Sequence, residues 1–362
     1  MTSRIPVAVL GATGVVGQTL VQRLVDHPLF ELTAVGASER SVARRFGEAL
    51  HRNAGDLSPE TRDLVVSACH PSMIDAPIVF SALDGTVAGP IEEAFARAGA
   101  LVVSNAKHHR LDDDVPLVIP EVNADHLELI ERQRTARRWS GAIVTNPNCA
   151  TAVICLALAP LHQAFGLREL WVTTLQAVSG AGYPGVPSLD ILGNVIPWID
   201  GEEEKIVMES RKILGDAAHP TEFGVSAQVT RVPVEHGHTA CIAARFARPV
   251  TAAEATSALL EWRSAVADLG LPSAPATPVM LHSDRDRPQP RRDVERGDGM
   301  SVSVGQVRED GNGGIRLVAL GHNLVRGAAG AALLNAELCV SALPALASPA
   351  KIPASEERWP SG

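Results

Sequence analysis

Aromatic side chains are scarce in this sequence, at 4% of residues, so its cores must be built from Val, Leu, Ile and Ala. Long apolar runs are missing as well. The longest break well short of the roughly 18 residues that a membrane span needs, which argues against a membrane partner. Cysteine pairs are missing: the five cysteines (69, 149, 155, 241 and 339) are odd in number and widely spaced, and none has the C-x-x-C spacing of a zinc or redox site. That leaves no disulfide framework and no metal-ligand cluster, and it suits reduced thiols in a cytoplasmic enzyme. Basic charge is not in excess either. The formal net charge is −9, spread along the chain, so there is no patch for nucleic acid. The N-terminus runs directly into a strand, without the apolar region and cleavage site of a signal peptide.

What is present is an ordinary globular composition over 362 residues, more than one hydrophobic core usually serves, so two domains are expected. Ile5-Pro-Val-Ala-Val-Leu10 reads as a buried parallel strand. Gly11-Ala-Thr-Gly-Val-Val-Gly17 follows, with Thr13, Gly14, Val15 and Val16 at its centre, and then Gln18 to His27 has helical spacing up to Pro28. Glu31 to Val35 is a second strand. A glycine-rich turn between strand and helix suits a dinucleotide, because free amides and the positive end of the helix dipole face a pyrophosphate. The alternative is a purely structural tight turn. After the second strand, Glu39 lies slightly late for a ribose hydroxyl, whereas Arg40 with Ser38 and Ser41 fits a 2′-phosphate and favours NADP. Arg44 and Arg45 add positive charge; the alternative there is a solvated helix start.

Further strands are expected at Ile78–Ala82, Leu101–Ser104 and Ala142–Thr145, with a helix from Ile91 to Ala98. This alternation predicts a doubly wound parallel sheet, which binds ligands beyond the carboxyl ends of its strands. Asn105, Arg110, Asn146 and Cys149 all follow strand ends and converge there. Cys149 opens an apolar run from Ala150 to Leu161 that reads as a helix. A helix start lowers a thiol's pKa and offers amides to an oxyanion. Cys155 lies inside that run, and Cys69, Cys241 and Cys339 read as small buried hydrophobes. Among twelve histidines, His238 stands out beside Gly237, with His236 as the alternative.

Several motifs together resemble one family. They are Gly11 to Gly17, Ser104-Asn-Ala106 with Arg110, Val115 to Asn123, Asn146-Pro-Asn-Cys-Ala-Thr151, Gln176 to Gly185, Gly201-Glu-Glu-Glu-Lys205, Arg231-Val-Pro-Val234 with Gly237-His-Thr239, and Gly321 to Gly330. In this order they resemble aspartate-semialdehyde dehydrogenase, in the branch typical of archaea and fungi, from Val7 to about Leu338. The resemblance implies that Cys149 is the nucleophile and His238 its acid–base partner. It makes Gln176 the residue that orients the substrate, Arg231 the grip on an α-carboxylate and Glu203 the partner of an ammonium. Lys205 and Arg110 become the phosphate-binding cations, and Ser179, Gly180 and Asn323 the nicotinamide surroundings. The implied reaction is NADPH-dependent reduction of an acyl phosphate through a thioester on Cys149. A thiolate suits it, being a soft nucleophile that leaves again as a stable anion.

The family's architecture is an α/β protein: a Rossmann-type doubly wound sheet plus a second α+β domain whose mixed sheet serves dimerisation. Here that puts the NADP-binding domain at 1–149 with a helix returning at about 322–345, the catalytic and dimerisation domain at 150–321, and a mobile tail at 346–362. The second sheet is expected to take strands at Glu169–Ala177, Ala227–Val234, His238–Ala247 and Ile315–Leu320. A helix is expected at Ala252–Ala267, an exposed loop at Asp284–Gly299, and an apolar helix at Gly327–Leu343. The resemblance implies a homodimer or homotetramer. Some positions depart from the family pattern: Ser41 to Phe46 lacks a Gly-Lys after the serine, Lys107-His-His109 precedes Arg110, and Gly193 replaces an acid. They ring the pocket and leave other acyl donors open, malonyl-CoA or a specialised-metabolite acyl phosphate, besides a non-catalytic NADP-binding sensor.

Overall fold

The computed structural model describes residues 4–50 and 57–344; the expected tail at 346–362 lies outside them. Six strands form the first sheet: β1 (Ile5–Leu10), β2 (Phe30–Ala37), β3 (Val66–Ala68), β4 (Ile78–Ser81), β5 (Leu101–Ser104) and β6 (Ala142–Thr145). They lie in the order β3-β2-β1-β4-β5-β6, all parallel. Strand order reverses between β1 and β4, and a crevice opens at their carboxyl ends, where dinucleotides bind in such sheets. Buried aliphatic residues on both faces explain why these strands read as near-continuous apolar runs.

The turn after β1 depends on Gly11, which has φ +71°; a Cβ there would lie 2.4 Å from the Ala82 carbonyl oxygen. The helix Val15–Leu24 follows, with Gly14 at its N-cap and no side chain capping its first amides.

The second sheet holds β7 (Leu167–Ala177), β8 (Gly224–Val232), β9 (His238–Phe246), β10 (Val279–Leu281), β11 (Val302–Glu309) and β12 (Ile315–Gly321). Their order is β10-β11-β12-β9-β7-β8, with parallel outer pairs and antiparallel inner ones. The helix Cys149–Phe165 packs on its inner face and is apolar from Ala152 to Leu161 apart from its backbone. The last helix, Gly330–Ala342, returns to the first sheet, where Leu333, Leu334 and Leu338 join the core of Val7, Val9, Ile78 and Val103. Among the described residues no helix is long and apolar enough to cross a membrane.

Several expectations change. The helix expected from Ala252 to Ala267 stops at Glu261, and the one expected from Gly327 begins as a π-helical turn, Val325–Ala329. The segment Asp284–Gly299 is not simply an exposed loop. It carries a short helix, Pro290–Asp293, and the buried Asp293 accepts hydrogen bonds from Arg287 and the Gln289 amide, so an internal ion pair folds the charged sequence back on itself. Cys241 is exposed, because period-2 alternation on β9 turns it to the sheet's outer face opposite Thr173 and Val318. Cys69 is half-buried rather than packed away, and lies beside the crevice.

The π-helical turn is anchored by Arg326, which is fully buried. Its guanidinium meets Glu121 through two bonds of 3.1 and 2.6 Å and donates to the Met300 carbonyl at 2.6 Å. Removing one partner of a buried ion pair strands the other charge. Arg326→Met should therefore lower stability by about 3–5 kcal/mol, read from urea titration; a loss below about 1 kcal/mol would show that the pair does not hold this turn.

Candidate active site

Parallel register sets the first half of the site. Asn105 follows β5 and Asn146 follows β6, so the neighbouring strand ends bring them together, with Asn146 Nδ2 donating to Asn105 Oδ1 at 2.9 Å. Asn146 Oδ1 accepts from Asn335 Nδ2 at 2.6 Å, tying the returning helix to the same point. Two residues later Asn148 caps the helix of Cys149. Its Oδ1 accepts from the amides of Ala150 and Thr151 at 3.0 and 3.2 Å. These two amides, expected to be free for an oxyanion, are therefore already occupied.

The second sheet supplies the other half. Gln176 lies opposite Arg231 in the β7–β8 register, and Leu175 lies opposite Thr239 in the β7–β9 register, which puts His238 next to Gln176. His238 Nε2 is 3.1 Å from Cys149 Sγ. His236 points elsewhere: its Nδ1 is 3.1 Å from Ser179 Oγ, and its ring stacks on His322. Residue context left the two histidines open and the resemblance pointed to His238, the ring that the fold sets beside the sulfur. Asn323 Nδ2 donates to Ser179 Oγ at 2.9 Å, and its Oδ1 accepts the Gly237 amide at 2.9 Å.

One cleft of about 1410 Å³ joins the halves. Gly11, Thr13, Gly14, Val15, Val16, Ser38 and Arg40 line one end. Asn105, Arg110, Cys149, Ser179, Gly180, Lys205 and Asn323 line the other. Gln176, Arg231 and His238 are buried just behind Cys149. Gly180 lies over them, and a Cβ there would sit 2.9 Å from Arg231 Nη1 and 3.0 Å from His238 Cε1. Gly17 and Ser41 do not line the cleft. Gly17 packs against the Gly11 backbone, and Ser41 is buried in a turn where its amide donates to the Ser38 carbonyl. Arg45 pairs with Asp63 and Arg44 binds the Glu48 carbonyl, so neither is on the cleft wall.

Glu203 is also out of place: its Oε1 accepts from the Val229 amide at 3.3 Å. The carboxylate in the site is Glu202. It accepts from Asn148 Nδ2 at 3.0 and 2.9 Å, from Gln176 Nε2 at 3.3 Å and from Lys205 Nζ at 2.6 Å. The reason is helical phase. On the helix Glu202–Ile213, residues 202, 206, 209 and 213 form the buried stripe, and 203 falls about 100° away from it. The spacing of Glu202, Ile206, Glu209 and Ile213 carried this signal, but no helix was expected there. The chain's own residues also fit a dinucleotide. Gly11 and Gly14 bring the backbone of the turn to the crevice, and the first amides of Val15–Leu24, which no side chain caps, suit an anionic group.

Comparison with known proteins bears on this arrangement. Residues 6–130 match the family model "Semialdehyde dehydrogenase, NAD binding domain", and residues 158–326 match "Semialdehyde dehydrogenase, dimerisation domain". An aspartate-semialdehyde dehydrogenase of Archaeoglobus fulgidus is 48% identical over 342 residues, covering 93% of this chain and 98% of that protein. The chain belongs to the aspartate-semialdehyde dehydrogenase family. Its fold matches the crystal structure of the Candida albicans aspartate-semialdehyde dehydrogenase with NADP, at TM-score 0.86 and 42% identity over 94% of this chain and 99% of that one. Aspartate-semialdehyde dehydrogenase II of Vibrio cholerae, complexed with ASA, matches at TM-score 0.74 and 29% identity over 94% and 99% of the two chains.

In this member of the family, burial dominates the electrostatics of the reactive pair. It pushes the Cys149 thiol up to about 12, with Glu202 adding to the rise. Arg110, Arg231 and the Ala150 amide pull the other way and do not win. The lowered thiol expected from the helix start is therefore not what the ligand-free site produces. Burial, then Arg231 and His322, pushes His238 down to about 3. The resting pair is a neutral thiol beside a neutral imidazole. The Ala177 amide donates to His238 Nδ1 at 3.1 Å, so the neutral ring carries its proton on Nε2, facing the sulfur. Such a ring is a donor to the sulfur before it can be a base for it. Below its pKa a thiol gains thiolate about tenfold per pH unit. Alkylation of Cys149 by iodoacetamide in the ligand-free protein, followed by peptide mass spectrometry, should keep rising about tenfold per unit from pH 7 to 9; a plateau near pH 7 would contradict the burial effect.

Proposed function

We propose that the chain reduces L-4-aspartyl phosphate to L-aspartate 4-semialdehyde with NADPH, and in reverse oxidises the semialdehyde with NADP and phosphate. The observation that carries this reading is the 3.1 Å approach of Cys149 Sγ to His238 Nε2 at the end of a cleft that begins at the glycine turn. The reaction follows from the neighbours. Arg231 pairs with the substrate's α-carboxylate, and Glu202, in the place first given to Glu203, takes the ammonium. Gln176 orients the acyl chain between them. Arg110 and Lys205, both on the cleft wall, cradle the phosphate. The Cys149 thiol gives up its proton to water in the cleft as Arg110 and Arg231 favour the anion. The thiolate attacks the acyl carbon; the oxyanion collapses, the carbon–oxygen bond to phosphate breaks, the phosphate leaves with that electron pair, and a thioester forms. His238 keeps Nε2–H toward the sulfur and then toward the acyl oxygen. Bound NADPH supplies the hydride that the thioester carbon takes. The sulfur then leaves as thiolate and frees the aldehyde, and a proton from water returns Cys149 to the resting thiol.

The cofactor preference rests on Ser38 and Arg40, which line the cleft at the carboxyl end of β2. We take residues 1–149 with the helix returning at 322–345 as the cofactor half, and 150–321 as the half for chemistry and pairing. Pairing as a homodimer, or a dimer of such dimers, fits the outer face of the second sheet, where Trp171 is exposed beneath the Arg245 guanidinium. The reading places the enzyme in the cytoplasm, where free thiols such as Cys149 stay reduced.

Purified protein should oxidise L-aspartate 4-semialdehyde with NADP and phosphate, and Cys149→Ser should lose at least about a thousandfold in kcat. Activity on CoA thioesters in place of the semialdehyde and phosphate, or an intact rate in Cys149→Ser, would sink the assignment. Arg40→Ala should raise KM for NADP about tenfold or more while leaving KM for NAD within about twofold; equal changes for both would remove Arg40 from the 2′-phosphate site.

A further inference from the structure

The helix Glu202–Ile213 does more than carry Lys205 into the cleft. Its buried Glu209 uses both carboxylate oxygens, each on a different part of the site. Oε1 accepts from Arg110 Nη1 at 2.9 Å. Oε2 accepts from the backbone amide of Asn148, the residue before the nucleophile, at 2.6 Å. Arg110 Nη2 is held by the Asn105 carbonyl at 2.8 Å, so its guanidinium is fixed from two sides. One turn further on, Lys212 Nζ donates to the carbonyls of Arg110, Asp112 and Val115 at 2.9, 2.7 and 2.8 Å, which pins the backbone that presents Arg110. One turn of helix thus spans the guanidinium and the sulfur's own backbone.

We propose that Glu209 is a positioning residue: its carboxylate sets the distance between the guanidinium of Arg110 and the sulfur of Cys149. This rests on the reading of Arg110 as a phosphate ligand. In an acyl phosphate the attacked carbon is one oxygen away from phosphorus, so the leaving group's cradle and the nucleophile must keep a fixed separation. A misplacement of about 1 Å in such a geometry can lower the rate about a hundredfold. A single carboxylate bonded to the guanidinium and to the amide of the residue before Cys149 restricts that freedom, and no charge is left uncompensated while the phosphate is away, because Glu209 faces Arg110 directly.

Glu209→Gln is the test. An amide has one acceptor oxygen, so it must present a donor to either Arg110 or the Asn148 amide and break one arm. In the oxidative assay, KM for phosphate should rise at least about tenfold while KM for the semialdehyde stays within about twofold. Because Glu209 acts through Arg110, adding Glu209→Gln to Arg110→Ala should change KM for phosphate by less than about twofold. Equal shifts in both KM values, no shift in KM for phosphate, or additive effects in the double variant would each overturn the proposal. Should Glu209→Gln fail to bind NADP or melt far below wild type, Glu209→Asp, which keeps the charge but is too short to bridge, is measured the same way with the same split expected. A wild-type protein inactive with semialdehyde, NADP and phosphate would refute the functional reading itself; an active wild type with an unsplit variant refutes only the role of Glu209.

Discussion

The start of the helix Cys149–Phe165 is held by two buried carboxylates, and the rest of the site takes its place from that point. Glu202 binds the side chain of Asn148, Glu209 binds its backbone amide, and Asn148 in turn caps the helix that begins with Cys149. Each carboxylate also reaches a second group: Glu202 meets Gln176 and Lys205, and Glu209 meets Arg110. Every one of these residues lies in or against the cleft. A buried carboxylate is costly unless its oxygens are filled, and here that requirement forces amide, amide side chain, lysine and guanidinium toward one place. The same demand that satisfies the polar groups assembles the chemistry.

This arrangement has an electrostatic consequence. Burial opposes the ionisation of Cys149, and Glu202 adds to it, while Arg110 and Arg231 favour it. The ligand-free cleft therefore keeps the thiol protonated and its neighbouring imidazole neutral. The helix start contributes less than its position promises, because Asn148 already takes the first amides.

The two halves of the protein are joined at one further point, and the returning helix is tied into the first half at two. Arg326 joins Glu121 to the Met300 carbonyl across the halves; within the first half Asn335 reaches Asn146 and the returning helix completes the core. The π-helical turn between Asn323 and that helix runs past the nucleophile, and a Cβ at Gly327 would lie 2.5 Å from the Cβ of Cys149. The turn that carries Arg326 across to Met300 thus also packs against the nucleophile.

Sequence alone determined what is local. The strand–glycine–helix unit, the cysteine at a helix start and the strand ends carrying Asn105 and Asn146 are patterns of neighbours along the chain, and they appear where periodicity and turn residues place them. Motif order was also enough to assign Gln176, Arg231 and His238 to one site, although they lie far from Cys149 in sequence. Tertiary structure decided what depends on partners from elsewhere. It chose Glu202 over Glu203, because the difference is which side of a helix faces inward. It put His238, the residue motif order had named, against the sulfur and turned His236 to Ser179. It reversed the direction of the thiol's shift, turned Cys241 outward and brought Glu209 to the site. Burial and charge are sums over surroundings, and no short stretch of chain contains its own surroundings.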